Sequence, residues 1–109
     1  MKKLTREEAN TDGTHRVDTI YGVSYNELIE TFGEPTYMPE DSADGKIQFE
    51  WVFDFEGNTF SVYDWKIYDE YYTKNELYDW HIGGNTSARD FKTALIGLIS
   101  KEDIWEVQQ

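Results

Sequence analysis

Large apolar residues alternate with polar, mostly acidic ones across positions 46–56, and this period of two predicts a β-strand with one aromatic face. The pair Gly57-Asn58 predicts a tight turn, so residues 59–68 are expected to return as the second strand of a hairpin. Residues 76–82 carry a further set of apolar side chains and predict a third strand.

Two amphipathic segments flank this hairpin region. Ser24 and Glu27 form a capping-box pattern, and the apolar stripe that follows predicts a helix over residues 25–32. Gly33 supplies a residue that tolerates the left-handed conformation at the end of that helix. A second apolar stripe, preceded by a weaker capping pattern, predicts a helix over residues 88–101.

These elements together predict an α+β fold, in which an antiparallel sheet of three to four strands packs two amphipathic helices on one face. Residues 1–16 are polar and show no apolar period, so we interpret them as a flexible N-terminal arm. Residues 17–109 are then a single domain. The alternating segment 103–107 is expected to be an edge strand or an irregular cover.

Charge changes the picture more than any motif does. The chain has 22 acidic and 10 basic residues, a formal net charge of -12, yet aromatic residues make up 17% of its 109 positions. Acidic disordered chains are poor in aromatics, so the composition indicates a folded domain with a negative surface. Such a field disfavours direct binding to nucleic acid or anionic membranes and favours basic protein partners.

Chemistry-bearing motifs are sparse. With no cysteine and two histidines, the sequence offers no thiolate nucleophile, no metal-ligand spacing and no catalytic triad, so we expect a non-enzymatic protein without cofactor or metal. Asp64 is the best candidate for a catalytic carboxylate because it lies on the aromatic strand face. The interpretation that we favour is a strand-end aspartate bonded to backbone N–H groups.

The acidic side chains suggest a function of their own. Carboxylates at alternate positions of one strand, together with those of a neighbouring loop, can imitate the charge of a nucleic-acid backbone and occupy a basic groove on a nucleic-acid-handling protein. The residues assigned to this partner-binding surface are Glu50, Asp54, Glu56, Asp69 and Glu70.

A small-ligand site is the alternative. It would stack a signalling nucleotide on aromatic side chains and hold its phosphate at the turn from Gly84 to Ser87, which leads into a helix, with Arg89 and Lys92 in support. The stacking and cationic residues assigned to it are Trp65, Lys66, Trp80 and His81. A structural subunit that assembles through an edge strand is a third possibility. The oligomeric state, monomer or homodimer, stays open.

Tyr63-Asp64-Trp65-Lys66 and Trp80-His81-Ile82-Gly83-Gly84, with Phe32-Gly33-Glu34-Pro35 before them, resemble a group of small uncharacterised proteins of tailed bacteriophages. The resemblance covers roughly residues 20–100 in order and spacing. It implies an accessory protein that acts in the cytoplasm of a bacterial host cell and binds and inhibits a host or defence protein. No catalytic or binding residues carry over from it.

Overall fold

The chain folds as an antiparallel sheet with two helices on one face. The computed structural model describes residues 1–42, 44–66, 68 and 78–108, with backbone alone for 78 and 100–108. Within these residues the strands and helices are β1 (Lys2–Lys3), β2 (His15–Val23), α1 (Tyr25–Phe32), a 3₁₀ turn (Pro39–Asp41), β3 (Glu50–Phe55), β4 (Asn58–Tyr63), β5 (Tyr78–Gly84) and α2 (Arg89–Gln108). The strand order is β1-β3-β4-β5-β2. The predicted α+β class is confirmed, with five strands in place of three to four.

The two additional strands come from the N-terminal part of the chain. Lys2 and Lys3 pair with β3, and the Leu4 N–H continues this pairing by donating to the Val52 carbonyl at 2.8 Å. At the opposite edge, β2 pairs with β5 and begins at His15. The interpretation of residues 1–16 as an arm outside the domain is therefore wrong. Alternation did not reveal β2 because irregularities interrupt its register twice, which moves its apolar residues out of step.

The hairpin turn lies one residue earlier than predicted, which shifts the pairing of β3 with β4 by two residues. With Gly57-Asn58 as the loop, Phe55 would oppose Phe60; in the structure, Phe55 opposes Asn58 and Phe53 opposes Phe60. Glu56 and Gly57 form the turn, at φ angles of 53° and 83°. A displacement of two residues keeps every side chain on its face, so the aromatic face still points inward.

The aromatic face of β3 packs against both helices. Phe53 contacts Phe32 of α1 and Phe91 of α2, at ring-centroid distances of 5.0 and 5.6 Å. Trp51 packs edge-on against Trp80 of β5 at 5.6 Å. Because such aromatic side chains each bury a large area, they supply a large part of the core of this small domain.

The helix ends follow their local sequences. The capping box at Ser24 and Glu27 is present, and Gly33 ends α1 at a φ of 78°, as predicted. Helix α2 continues to Gln108, so the expectation of an edge strand or cover at 103–107 is wrong. No glycine or proline follows Gly97 to stop the helix, and residues 98–108 are compatible with continuation.

Residues 4–14, which we call the strap, cross the helix-free face of the sheet. They must join β1 at one edge to β2 at the other, and Thr11 and Thr14 lie over the same cavity as side chains of β4 and β5. The strap is fastened at Leu4, whose carbonyl accepts from the Thr36 hydroxyl at 2.8 Å, and by a salt bridge of 2.6 Å between Arg6 and Asp41. This covered face holds the candidate site.

Candidate ligand-binding site

Strand register sets the residues of the helix-free face. Glu50, Tyr63 and His81 are directly opposite one another on β3, β4 and β5. Residues paired in this way share one face of a sheet, and neighbouring strands are about 4.8 Å apart. The adjacent row on the same face contains Ser61 and Gly83. Three paired positions on adjacent strands thus place a carboxylate, a phenol and an imidazole side by side.

A cavity of about 470 Å³ opens between this face and the strap. Such a volume lies within the range of about 300–1,000 Å³ that is typical of small-molecule sites. The residues around it are Thr11, Thr14, His15, Arg16, Ile47, Glu50, Ser61, Tyr63, Trp65 and His81. A smaller cavity of about 200 Å³ adjoins it at Ile47 and Glu50.

Three aromatic rings form one wall of the larger cavity. Trp65 lies nearly parallel to His81, with an interplanar angle of 27° and centroids 6.5 Å apart. Tyr63 meets both rings edge-on, at 6.3 Å from Trp65 and 5.6 Å from His81. The Trp65 side chain is 37% exposed, so part of its surface is accessible to a bound molecule.

Positive charge gathers at this wall in an otherwise acidic protein. The ammonium groups of Lys46 and Lys66 lie 5.9 and 5.6 Å from the Trp65 ring centroid, within the range of cation–π attraction. Arg16 lines the cavity from β2 and is exposed. Among the residues that the structure describes, Arg16 and Lys66 form no salt bridge with a carboxylate. Arg16 therefore lines the cavity itself, and Lys46 and Lys66 lie beside one of its aromatic rings.

Glu50 projects into the cavity from the opposite side. Burial raises the pKa of its carboxyl group, a hydrogen bond with Ser61 opposes this, and the charge of Asp64 adds to it. Its backbone is fixed by two hydrogen bonds with Tyr37, of 3.0 and 3.1 Å. The carboxyl group is thus held in place on a rigid strand, where a hydrogen-bonding ligand would meet it.

His81 contributes a neutral ring. Burial lowers the pKa of the imidazole, and the nearby positive charge of Arg16 lowers it further. Above the ordinary histidine pKa of about 6.5, the ring is therefore uncharged, with one nitrogen that donates and one that accepts hydrogen bonds.

Gly83 keeps the floor of the cavity flat. A Cβ atom at this position would lie 2.6 Å from the Ser61 hydroxyl oxygen and 3.2 Å from the Tyr63 ring. Any side chain here would displace one of these two groups, because 2.6 Å is well inside van der Waals contact. The glycine therefore allows β5 to pack closely against the side chains of β4.

The structure divides the residues of the predicted ligand site. It brings Trp65, Lys66 and His81 together, but Trp80 is fully buried in the core, where its indole N–H donates to the Val23 carbonyl at 2.8 Å. The prediction that Trp80 stacks a ligand there is wrong, because strand alternation places it on the face opposite His81.

The proposed phosphate turn lies elsewhere. Gly84 faces the Phe60 ring, and Ser87 borders a separate cavity of about 310 Å³ that Arg89 also lines. Lys92 lines neither of these two cavities, and its ammonium group pairs with Asp18 at 3.2 Å. The cations near the aromatic wall are instead Arg16, Lys46 and Lys66. Of these three, only Lys66 was predicted from the sequence.

The predicted acidic surface is also divided. Glu50 lies in the cavity, Asp54 is exposed beside Lys2 of β1, and Glu56 occupies the hairpin turn. Asp69 and Glu70 lie outside the described residues. The described members therefore do not form a regular row of carboxylates along one strand.

Asp64 has the structural role that the sequence favoured. It is fully buried, and one carboxylate oxygen accepts from the backbone N–H groups of Gln48 and Phe49, at 2.8 and 2.9 Å. These bonds fix the segment that leads into β3 next to the end of β4. The interpretation of a strand-end aspartate bonded to backbone is confirmed.

Two further features of the described residues bear on function. They contain no group of three or more His, Asp or Glu residues placed to hold a metal ion. In the same part of the chain, no helix has the length and apolar character needed to span a bilayer.

Family models, curated proteins and solved structures give no match to this chain. The resemblance to tailed-phage proteins therefore stays a prediction, and the geometry of the cavity is the basis for a functional argument.

Proposed function

We propose that this protein is a small-ligand-binding module that sequesters a nucleotide-like molecule in the cavity between the strap and the helix-free face. The observation that carries the proposal is that Trp65, His81 and Arg16 line one cavity, with the Lys66 ammonium beside the Trp65 ring. A planar ring stacks on aromatic side chains, and an anionic group pairs with guanidinium and ammonium groups.

The negative charge of the whole protein is compatible with an anionic ligand. At physiological ionic strength, charges are screened over about 8 Å, so groups that touch the ligand outweigh distant carboxylates. Lys46 and Lys66 lie within 6 Å of the Trp65 ring centroid. Local cations therefore decide the electrostatic energy of a ligand that stacks on this ring.

Calorimetric titration with a panel of nucleoside monophosphates, diphosphates and cyclic nucleotides tests the proposal. We expect Trp65→Ala to weaken binding by about tenfold or more, because stacking of one base on an aromatic side chain contributes about 1–3 kcal/mol. Tyr21→Ala is the matched control, since Tyr21 is 69% exposed and lies beside α2, away from this cavity. No binding of any nucleotide with a dissociation constant below about 1 mM would contradict the proposal.

Inhibition of a basic partner is the second candidate function, and the net charge of -12 favours it. Two members of the predicted partner-binding surface, Asp54 and Glu56, are exposed near the tip of the hairpin formed by β3 and β4. The partner would be a nucleic-acid-handling protein of the host or its defence system, bound through a basic groove. Association that stays equally fast between low and moderate salt would refute this function, because steering by charge weakens with ionic strength.

A further inference from the structure

The two ends of the cavity differ in charge. Glu50 stands on β3 and Arg16 on β2, with β4 and β5 between them. Three strand spacings of about 4.8 Å separate β3 from β2 by about 14 Å, and both residues line the cavity between them. The aromatic wall lies along this distance. A ligand that matches it presents hydrogen-bond donors at one end, a planar ring in the middle and an anionic group at the other end.

The carboxylate defines which donors fit. An ionised carboxylate only accepts hydrogen bonds, and its two oxygens offer about four acceptor positions. The hydrogen bond with Ser61 uses one of them. The others face a cavity in which a ligand N–H can reach them, and two parallel N–H groups form the strongest arrangement.

We propose that Glu50 selects guanine, so that the ligand of this site is a guanine nucleotide; the inference rests on the proposed nucleotide-binding function. Guanine carries two adjacent N–H donors on its Watson–Crick edge, the ring N1–H and the exocyclic amine, which match one carboxylate. Adenine presents a ring acceptor at the corresponding position, and xanthine replaces the amine with a carbonyl oxygen. Both would set a lone pair against the carboxylate.

Arg16 complements this recognition at the other end. Its guanidinium donates to the Thr19 hydroxyl at 3.2 Å, which orients the side chain on the face that carries His81. A guanidinium forms paired hydrogen bonds with phosphate oxygens. We therefore expect Arg16 to bind the phosphate and Glu50 to bind the base. Substitution of each residue should then weaken the binding of a different part of the ligand.

Calorimetry with GMP, IMP, XMP and AMP at pH 7.5 tests the inference. Because a hydrogen bond to a charged group contributes about 1.5–3 kcal/mol, we expect GMP to bind at least about tenfold more tightly than IMP, and IMP more tightly than XMP or AMP. Glu50→Gln should remove this preference, since an amide both donates and accepts. Glu56→Gln, which makes the same charge change at the exposed turn, should retain it.

A second comparison separates the two ends of the site. Arg16→Gln should weaken GMP by about tenfold while leaving guanosine, which has no phosphate, unchanged. Equal binding of GMP and AMP by the wild-type protein would overturn the guanine inference and leave the proposed function standing. Failure of every nucleotide and nucleoside to bind would overturn both. A melting temperature of Glu50→Gln at or above that of the wild type establishes that a lost preference does not come from unfolding.

Discussion

Replacement of Asp64 by alanine tests how the hairpin is joined to the segment before it. One carboxylate oxygen accepts from the N–H groups of Gln48 and Phe49, at 2.8 and 2.9 Å, in a fully buried position. Each buried donor left without a partner costs about 1–3 kcal/mol, so we expect Asp64→Ala, which leaves two of them, to lower the free energy of unfolding by about 2–6 kcal/mol. That is a large part of the roughly 5–15 kcal/mol typical of a small domain.

Asp64→Asn is the matched variant, because the amide keeps an oxygen that can accept from both N–H groups. We expect it to cost about 1 kcal/mol, the difference between a charged and a neutral acceptor. Urea denaturation followed by tryptophan fluorescence measures both variants, and an unchanged m-value shows that the same two-state unfolding is compared. If the alanine variant lies within about 0.5 kcal/mol of the wild type, the carboxylate does not hold the segment before β3 to the end of β4.

Three further predictions concern residues on the helix-free face of the sheet. Gly83→Ala should destabilise by about 1–3 kcal/mol in urea denaturation, because its Cβ would lie 2.6 Å from the Ser61 oxygen. Gly97→Ala, a helical position with no atom within 4 Å, should instead stabilise by about 0.5–1 kcal/mol, and equal effects of the two would contradict the packing argument. Since burial raises the pKa of Glu50 above its ordinary 4.5, ionisation of this carboxyl group costs stability as pH rises above that value. Glu50→Gln should therefore melt higher than the wild type at pH 7 and equally at pH 4; a lower melting temperature at pH 7 would refute this. Burial lowers the pKa of His81, so wild-type stability should fall as pH decreases below about 6.5, and His81→Gln should show a smaller fall in a pH series of melts.

Local signals in the sequence predicted most of the elements. The capping box at Ser24 and the glycine at position 33 define α1 because both act through bonds within one or two turns. The alternation of β3 predicts which of its side chains are buried. This prediction does not depend on the exact position of the turn, because the pairing differs from the predicted one by two residues. The role of Asp64 was predicted because a short aspartate side chain at a strand end readily accepts hydrogen bonds from nearby backbone N–H groups.

Local sequence patterns do not predict the pairing of strands that lie far apart along the chain. β1 contains two residues, Lys2 and Lys3, whose pairing with β3 leaves no apolar pattern. Bulges in β2 disrupt the period that would have identified it. Since these strands fix the strap, Arg16 was assigned to an arm and the cavity was missed. The shared face of Ser61, Tyr63 and Trp65 on alternate positions was the one available signal.

The most direct test of the ligand site follows the tryptophan indole N–H signals by two-dimensional NMR during titration with GMP. We expect the Trp65 signal to move, because this ring lines the cavity and the residue is 37% exposed. The signals of Trp51 and Trp80 should stay in place, since their indoles donate to the Gly33 and Val23 carbonyls in the core. Saturable shifts of Trp65 alone would support a nucleotide beneath the strap; an unmoved Trp65 signal at millimolar GMP would contradict it.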